Sequence, residues 1–221
     1  MTAWLYHLNA LVLGLFILTA IAMVVTRQIS ACLQVFILQS LLLAASAFLL
    51  GGSPWSWHLF ALGCVTIASK AILIPWILRS MIPAEVYVRR ELSQSVQVPA
   101  ALVAAFGLLL VGYALGIPLN AAAHSLSPAN VSLGIAGLLI GLLLLVVRRE
   151  AVPQILGILG MENGAFLAGI AIAPDFPLIA ELAIAFDVPV LAFIVAVLAR
   201  AVYQKTGSTE VGSLSALREL I

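Results

Sequence analysis

Lys70, Glu162, Glu181 and Asp187 each interrupt a stretch that is otherwise apolar. A charge at the centre of a bilayer costs about 2.5–3.5 kcal/mol on insertion scales. Side chains that costly pair with one another or line an ion path, so proton transfer or ion passage is the chemistry they suggest. Glu162 sits in Gly157-Ile-Leu-Gly160-Met-Glu162-Asn163-Gly164, where Gly160 and Gly164 form a small-xxx-small face that admits a neighbouring helix. A carboxyl beside such a seam is shielded from lipid. It can belong to a proton path, or simply hydrogen-bond across a bundle. Asp187 lies two residues before Pro189, which lacks an N–H and so frees the carbonyl of Ala185. That opening suits water or a cation, or else a kink whose acid satisfies the freed backbone. Lys70 stands too far inside its apolar run to reach the interface, and Pro75 frees the carbonyl of Ala71. It reads as a proton-exchanging amine or as a static partner for an acid. Glu181 is only a turn from the outer end of its run, where solvation competes with membership of a path. It is six residues before Asp187, so the two face different ways on a helix. Gln39 and Asn163 are supporting polar residues, and Gln34 and Gln39 suit a water chain or helix–helix hydrogen bonding equally well.

The elements that must position these residues are membrane helices. Of 221 residues, 64% are hydrophobic and 9% charged, with mean hydropathy +1.21, too few charges to cover a soluble domain. Reading from breaker to breaker gives seven spans, near 4–25, 31–50, 57–78, 98–115, 131–147, 152–173 and 178–202. Turn chemistry separates them at Gly51-Gly52-Ser53-Pro54, Gly116-Ile117-Pro118, Ser127-Pro128 and Pro174-Asp175-Phe176-Pro177. Arg27 follows the first span, Arg79, Arg89 and Arg90 the third, Arg148 and Arg149 the fifth, and Arg200, Lys205 and Arg218 the seventh. Lys70 alone among the cations falls outside those connections. The positive-inside rule therefore predicts an outer N-terminus and a cytoplasmic C-terminus. The first apolar run has no basic residue before it, which fits a retained span better than a signal peptide. Trp4, Trp55 and Trp57 fit an outer aromatic belt.

The expected fold is all-α, an integral membrane protein of about seven transmembrane helices. Spans one to three and five to seven have a similar layout, each set ending on a buried charge with a later proline: Lys70 with Pro75, Asp187 with Pro189. Parallel three-helix repeats joined by one helix would account for that. Three units follow: residues 1–80, 81–130 and 131–221.

Several function classes are disfavoured. A net charge of +1 leaves no basic face for nucleic acid. Cys32 and Cys64 both lie in apolar runs and read as helix-filling thiols. His7, His58 and His124 cluster at outer ends without metal spacing. No cofactor fingerprint or catalytic constellation is present, so no metal or cofactor site is expected in this chain.

The stretch Arg148-Arg149-Glu-Ala-Val-Pro-Gln-Ile-Leu-Gly157-Ile-Leu-Gly-Met161-Glu162-Asn163 resembles the E subunit of hydrogenase-4-type complexes, whose matching helix also carries Met-Glu-Asn-Gly. That resemblance extends over most of the chain and includes Ser69-Lys70 followed by an Ile/Leu-Pro segment. From Val131 to the C-terminus the chain is also similar to the K subunit of respiratory complex I and the C subunit of Mrp-type cation/proton antiporters. The resemblance implies a non-catalytic membrane-arm subunit of an energy-converting complex in a bacterial or archaeal cytoplasmic membrane. Antiporter-like subunits would lie beside it, and the Fe–S clusters and any Ni–Fe site would belong to partner subunits. Glu162, Asp187 and Lys70 would then pass or gate protons, with Glu181 either a further member of that path or an interfacial residue. The K subunit's first membrane glutamate would fall at Leu159, one helical turn before Glu162, and its second close to Asp187. A purely structural linker and an independent cation/proton antiporter subunit are the competing readings.

Overall fold

A computed structural model describes residues 3–52, 55–81, 96–123 and 127–172, together with Val197. Among them are six helices long and apolar enough to cross a bilayer. The first two are α1 (Ala3–Val25) and α2 (Ile29–Gly51). The third is a composite rod of α3 (Trp57–Thr66), a π-helical segment (Ile67–Leu73) and α4 (Ile74–Met81). Then come α5 (Val98–Ala123), α6 (Pro128–Val147) and α7 (Ala151–Ile172). The all-α membrane fold is borne out, with the first six expected spans in place. The seventh, with Glu181, Asp187 and Pro189, lies outside the described residues.

Each helix closes its own backbone hydrogen bonds, the condition for crossing hydrocarbon. The ends follow from local chemistry. Ser127 is extended and Pro128 stands in the first turn of α6, where a missing N–H costs nothing. Pro153 uses the same allowance in the first turn of α7. One expected turn is not a turn. Gly116-Ile117-Pro118 lies inside α5, which continues to Ala123. Gly116 is small because it abuts Ser132 of α6, where an added Cβ would collide with the serine. Beyond the proline, the Asn120 side chain donates to Pro128 O at 3.0 Å and Ser132 Oγ at 3.3 Å, holding the last turn of α5 against α6.

Helices α6 and α7 form an antiparallel pair joined by the short link at Arg148–Glu150. Their seam is built from glycines seven residues apart, Gly134 and Gly141 on one helix, Gly157 and Gly164 on the other. A Cβ on Gly164 would meet the Leu138 backbone, and one on Gly141 the Met161 backbone, so the two helices approach backbone to backbone. Gly160 lies between the two neighbours, with Gln39 Oε1 of α2 3.7 Å and Gly141 Cα of α6 3.9 Å from where a Cβ would stand. Helix α2 is central, contacting α1, the composite rod and α7. Phe16, Leu33, Phe36, Ile140 and Leu156 fill the space between these helices.

Candidate functional site

Near the midpoints of three helices, polar side chains converge. The rod contributes Lys70 from its π-helical segment, α7 contributes Glu162 and Asn163, and α2 contributes Gln39 and Ser40. The π register has a local cause. Pro75 has no N–H to offer, and the bonding ahead of it slips by one residue, so Ile74 N–H donates to Ser69 O. Lys70 projects from this widened turn toward α7.

Its Nζ lies 2.7 Å from Glu162 Oε1. It also donates to Asn163 Oδ1 at 3.0 Å. A lysine ammonium only donates, so the amide oxygen of Asn163 must face it and the NH2 must point away. That NH2 meets Ser40 Oγ at 3.2 Å and Gln39 Oε1 at 3.4 Å. Ser40 Oγ in turn donates to Phe36 O at 3.0 Å. The Phe166 ring, one turn beyond Glu162, has its centroid 5.3 Å from Nζ. Lys70, Asn163, Gln39 and Ser40 are all buried. The Glu162 side chain is 18% exposed and Lys70's 5%, so the carboxylate is the more open member of the pair.

The two charges cancel, so no net charge is held in hydrocarbon and their attraction offsets part of the desolvation cost of each. A carboxyl and an amine in contact can also exchange a proton, the chemistry expected of these residue types. Four of the sequence-derived candidates are thus brought together: Lys70, Glu162, Asn163 and Gln39. Pro75 lies five residues past Lys70 and adjoins the π segment. Glu181, Asp187 and Pro189 are outside the described residues. No group of three His, Cys, Asp or Glu that could hold a metal occurs among the described residues.

Two further polar clusters escaped sequence reading. Asn9, Ser46 and Asn130 form a closed buried triangle across α1, α2 and α6. Asn9 Nδ2 donates to Asn130 Oδ1 at 2.7 Å, Asn130 Nδ2 to Ser46 Oγ at 2.7 Å, and Ser46 Oγ to Asn9 Oδ1 at 2.8 Å. Their signal was a lone polar residue near the same end of three apolar runs. Arg148, counted as a loop cation, is buried. Its Nη2 shares two hydrogens among the carbonyls of Met23 at 3.2 Å and Val24 at 3.0 Å, in the last turn of α1, and of Thr26 just beyond it. A cation there also opposes the negative end of the helix dipole.

Among the described residues, six membrane-length helices carry a Lys–Glu pair near the midpoints of two of them. Residues 129–219 match the family model of NADH-ubiquinone/plastoquinone oxidoreductase chain 4L, the same region whose K-subunit character the double arginine and the Glu162 helix signalled. Over 212 residues the chain is 26% identical to hydrogenase-4 component E of Escherichia coli, covering 93% of this chain and 94% of that protein. The same values hold for hydrogenase-4 component E of Shigella flexneri. An uncharacterised protein of Mycobacterium tuberculosis is 27% identical over 206 residues, 93% of this chain and 94% of the relative. No solved structure matches. These similarities support a complex I-like family of membrane-arm subunits, and the resemblance read from Met161-Glu162-Asn163-Gly164 is borne out.

Proposed function

We propose that this chain is a non-catalytic membrane-arm subunit of an energy-converting redox complex of the group 4 hydrogenase type, seated in the cytoplasmic membrane of a bacterium or archaeon. It anchors antiporter-like subunits and contributes one segment of a proton route. Fe–S clusters, and a Ni–Fe site where the complex evolves hydrogen, belong to its partners. The Lys70–Glu162 contact supports this reading best, because a mid-span ion pair with one partly open member can pass a proton without leaving net charge in the membrane. A proton that reaches Glu162 neutralises the carboxylate and leaves the Lys70 ammonium uncompensated. Lys70 then passes its proton onward along the route and takes up the one on Glu162, which restores the ion pair. Asn163 keeps the amine in place while the charges change. Asp187 and Glu181 are the proposed continuations of the route.

The saturated bonding of Asn163 favours a second reading, a static lock between α2, the rod and α7. Glu162→Gln separates the two. A proton role predicts an assembled complex with wild-type redox turnover and fewer protons moved per electron pair, measured in inverted membrane vesicles. Normal coupling in an assembled variant would leave only the lock.

A further inference from the structure

Lys70 faces into the bundle, but the same rod carries a second feature on its outer side. Ala71, Pro75 and Arg79 recur every four residues, one helical turn apart, and so run along one face toward the arginine-bearing end. Ala71 is short and Pro75 flat, which makes this stripe a trough. Ile37 of α2 forms one wall, and Ile72 and Trp76 form the other, enclosing with Arg79 a groove of about 480 Å³. Ile72 and Trp76 are 62% and 65% exposed, so the groove opens away from the core.

Its depth narrows the choice of occupant. At 1.5 Å per residue, Ala71 to Arg79 covers roughly 12 Å. One leaflet of hydrocarbon is about 15 Å deep. The groove therefore starts near mid-bilayer and ends where headgroups lie, the length of an acyl chain rather than of a spanning helix. Among the described residues, none that lines it is acidic. Arg79 is exposed at the mouth, and a guanidinium offers a planar fork that matches phosphate. Trp76, one residue short of a turn earlier, suits the interface between chain and headgroup.

We infer that this groove binds one anionic phospholipid of the leaflet at the arginine-bearing end, its phosphate on Arg79 and an acyl chain along Ala71 and Pro75. The site is separate from the Lys70–Glu162 pair and does not depend on the proton role.

The test is native mass spectrometry of the full chain in a neutral detergent, titrated with phosphatidylglycerol and with phosphatidylcholine. The wild type should retain one phosphatidylglycerol with about fivefold preference, the factor one cation near an anionic headgroup supplies. Arg79→Gln should abolish that preference while leaving weak uptake of both lipids. Arg27→Gln, which alters an exposed cation outside the groove, should keep it. Ala71→Phe should fill the trough and lower uptake of both lipids. An equal loss in Arg27→Gln would mean diffuse surface charge and overturn the site. Displacement of the lipid by excess inorganic phosphate would reduce it to an anion site without a lipid. Absence of retained lipid, with Ile72→Cys cross-linking to another polypeptide in native membranes, would assign the groove to a partner helix instead. The Arg79 and Arg27 comparison decides the matter even where Ala71→Phe fails to fold.

Discussion

The Lys70–Glu162 pair makes each residue the condition for the other's burial. Removing one leaves an uncompensated charge, which costs about 3–5 kcal/mol for a buried pair. Lys70→Met alone should therefore lower the stability of the purified chain by about that amount. Combining it with Glu162→Gln should recover most of the loss, and a double-mutant cycle by denaturant unfolding measures the coupling directly. Asn163→Leu should cost about 1–3 kcal/mol, since it strands a lysine donor on one side and the Gln39 and Ser40 acceptors on the other. At this scale the sequence was informative about expense and silent about partnership. Lys70 and Glu162 stand out in any apolar run, but which acid meets which base depends on how two helices are rotated, and nothing local encodes that. Arg148 shows the converse. A loop cation and a helix-capping cation look alike until the end of α1 is brought beside it.

Glycines separate into two kinds along the helices. Gly164 and Gly141 lie against neighbouring backbone, whereas Gly14, Gly107 and Gly169 have open space where a Cβ would stand. Gly164→Val should push α6 and α7 apart and prevent recovery of folded protein, scored by monodisperse yield after size exclusion. Gly14→Ala or Gly107→Ala should instead raise stability by about 0.5–1 kcal/mol, the helix-propensity difference. The two kinds are indistinguishable in sequence. Prolines are just as ambiguous: Pro118 has the sequence context of a break yet sits within a continuous helix, while Pro75 marks a real change of register. What differs is the surroundings. Asn120 and Ser132 tie the turn after Pro118 to α6, and the residues ahead of Pro75 rebond from i to i+5.

For the whole molecule, the alternation of arginine-rich connections predicts seven spans and their orientation together, and six of those spans fall among the described residues. Orientation can be checked by cysteine labelling in a chain whose own Cys32 and Cys64 are replaced. Arg27→Cys should react with an impermeant maleimide only in inverted vesicles. Trp55→Cys, 74% exposed at the opposite end, should react in intact cells. The reverse pattern would invert the topology. Helix α5 shows most of its length to the surroundings, including Val103 and Leu110 at 73% and 71% exposure. Membrane packing was the least legible part of the fold, because lipid-facing and protein-facing positions are equally apolar and periodicity carries little of the signal that it has in water.

The polar contacts also set an order on the ribosome. Lys70 emerges 93 residues ahead of Asn163, and Asn9 emerges 121 residues ahead of Asn130. The first three spans therefore emerge from the ribosome as a half-finished polar circuit, carrying an amine without its counter-charge. Release into lipid would be unfavourable until α7 is made. A nascent chain ending at Val147 should accordingly remain beside the insertion machinery and be degraded faster than one ending at Ile172, a difference that pulse-chase labelling would resolve.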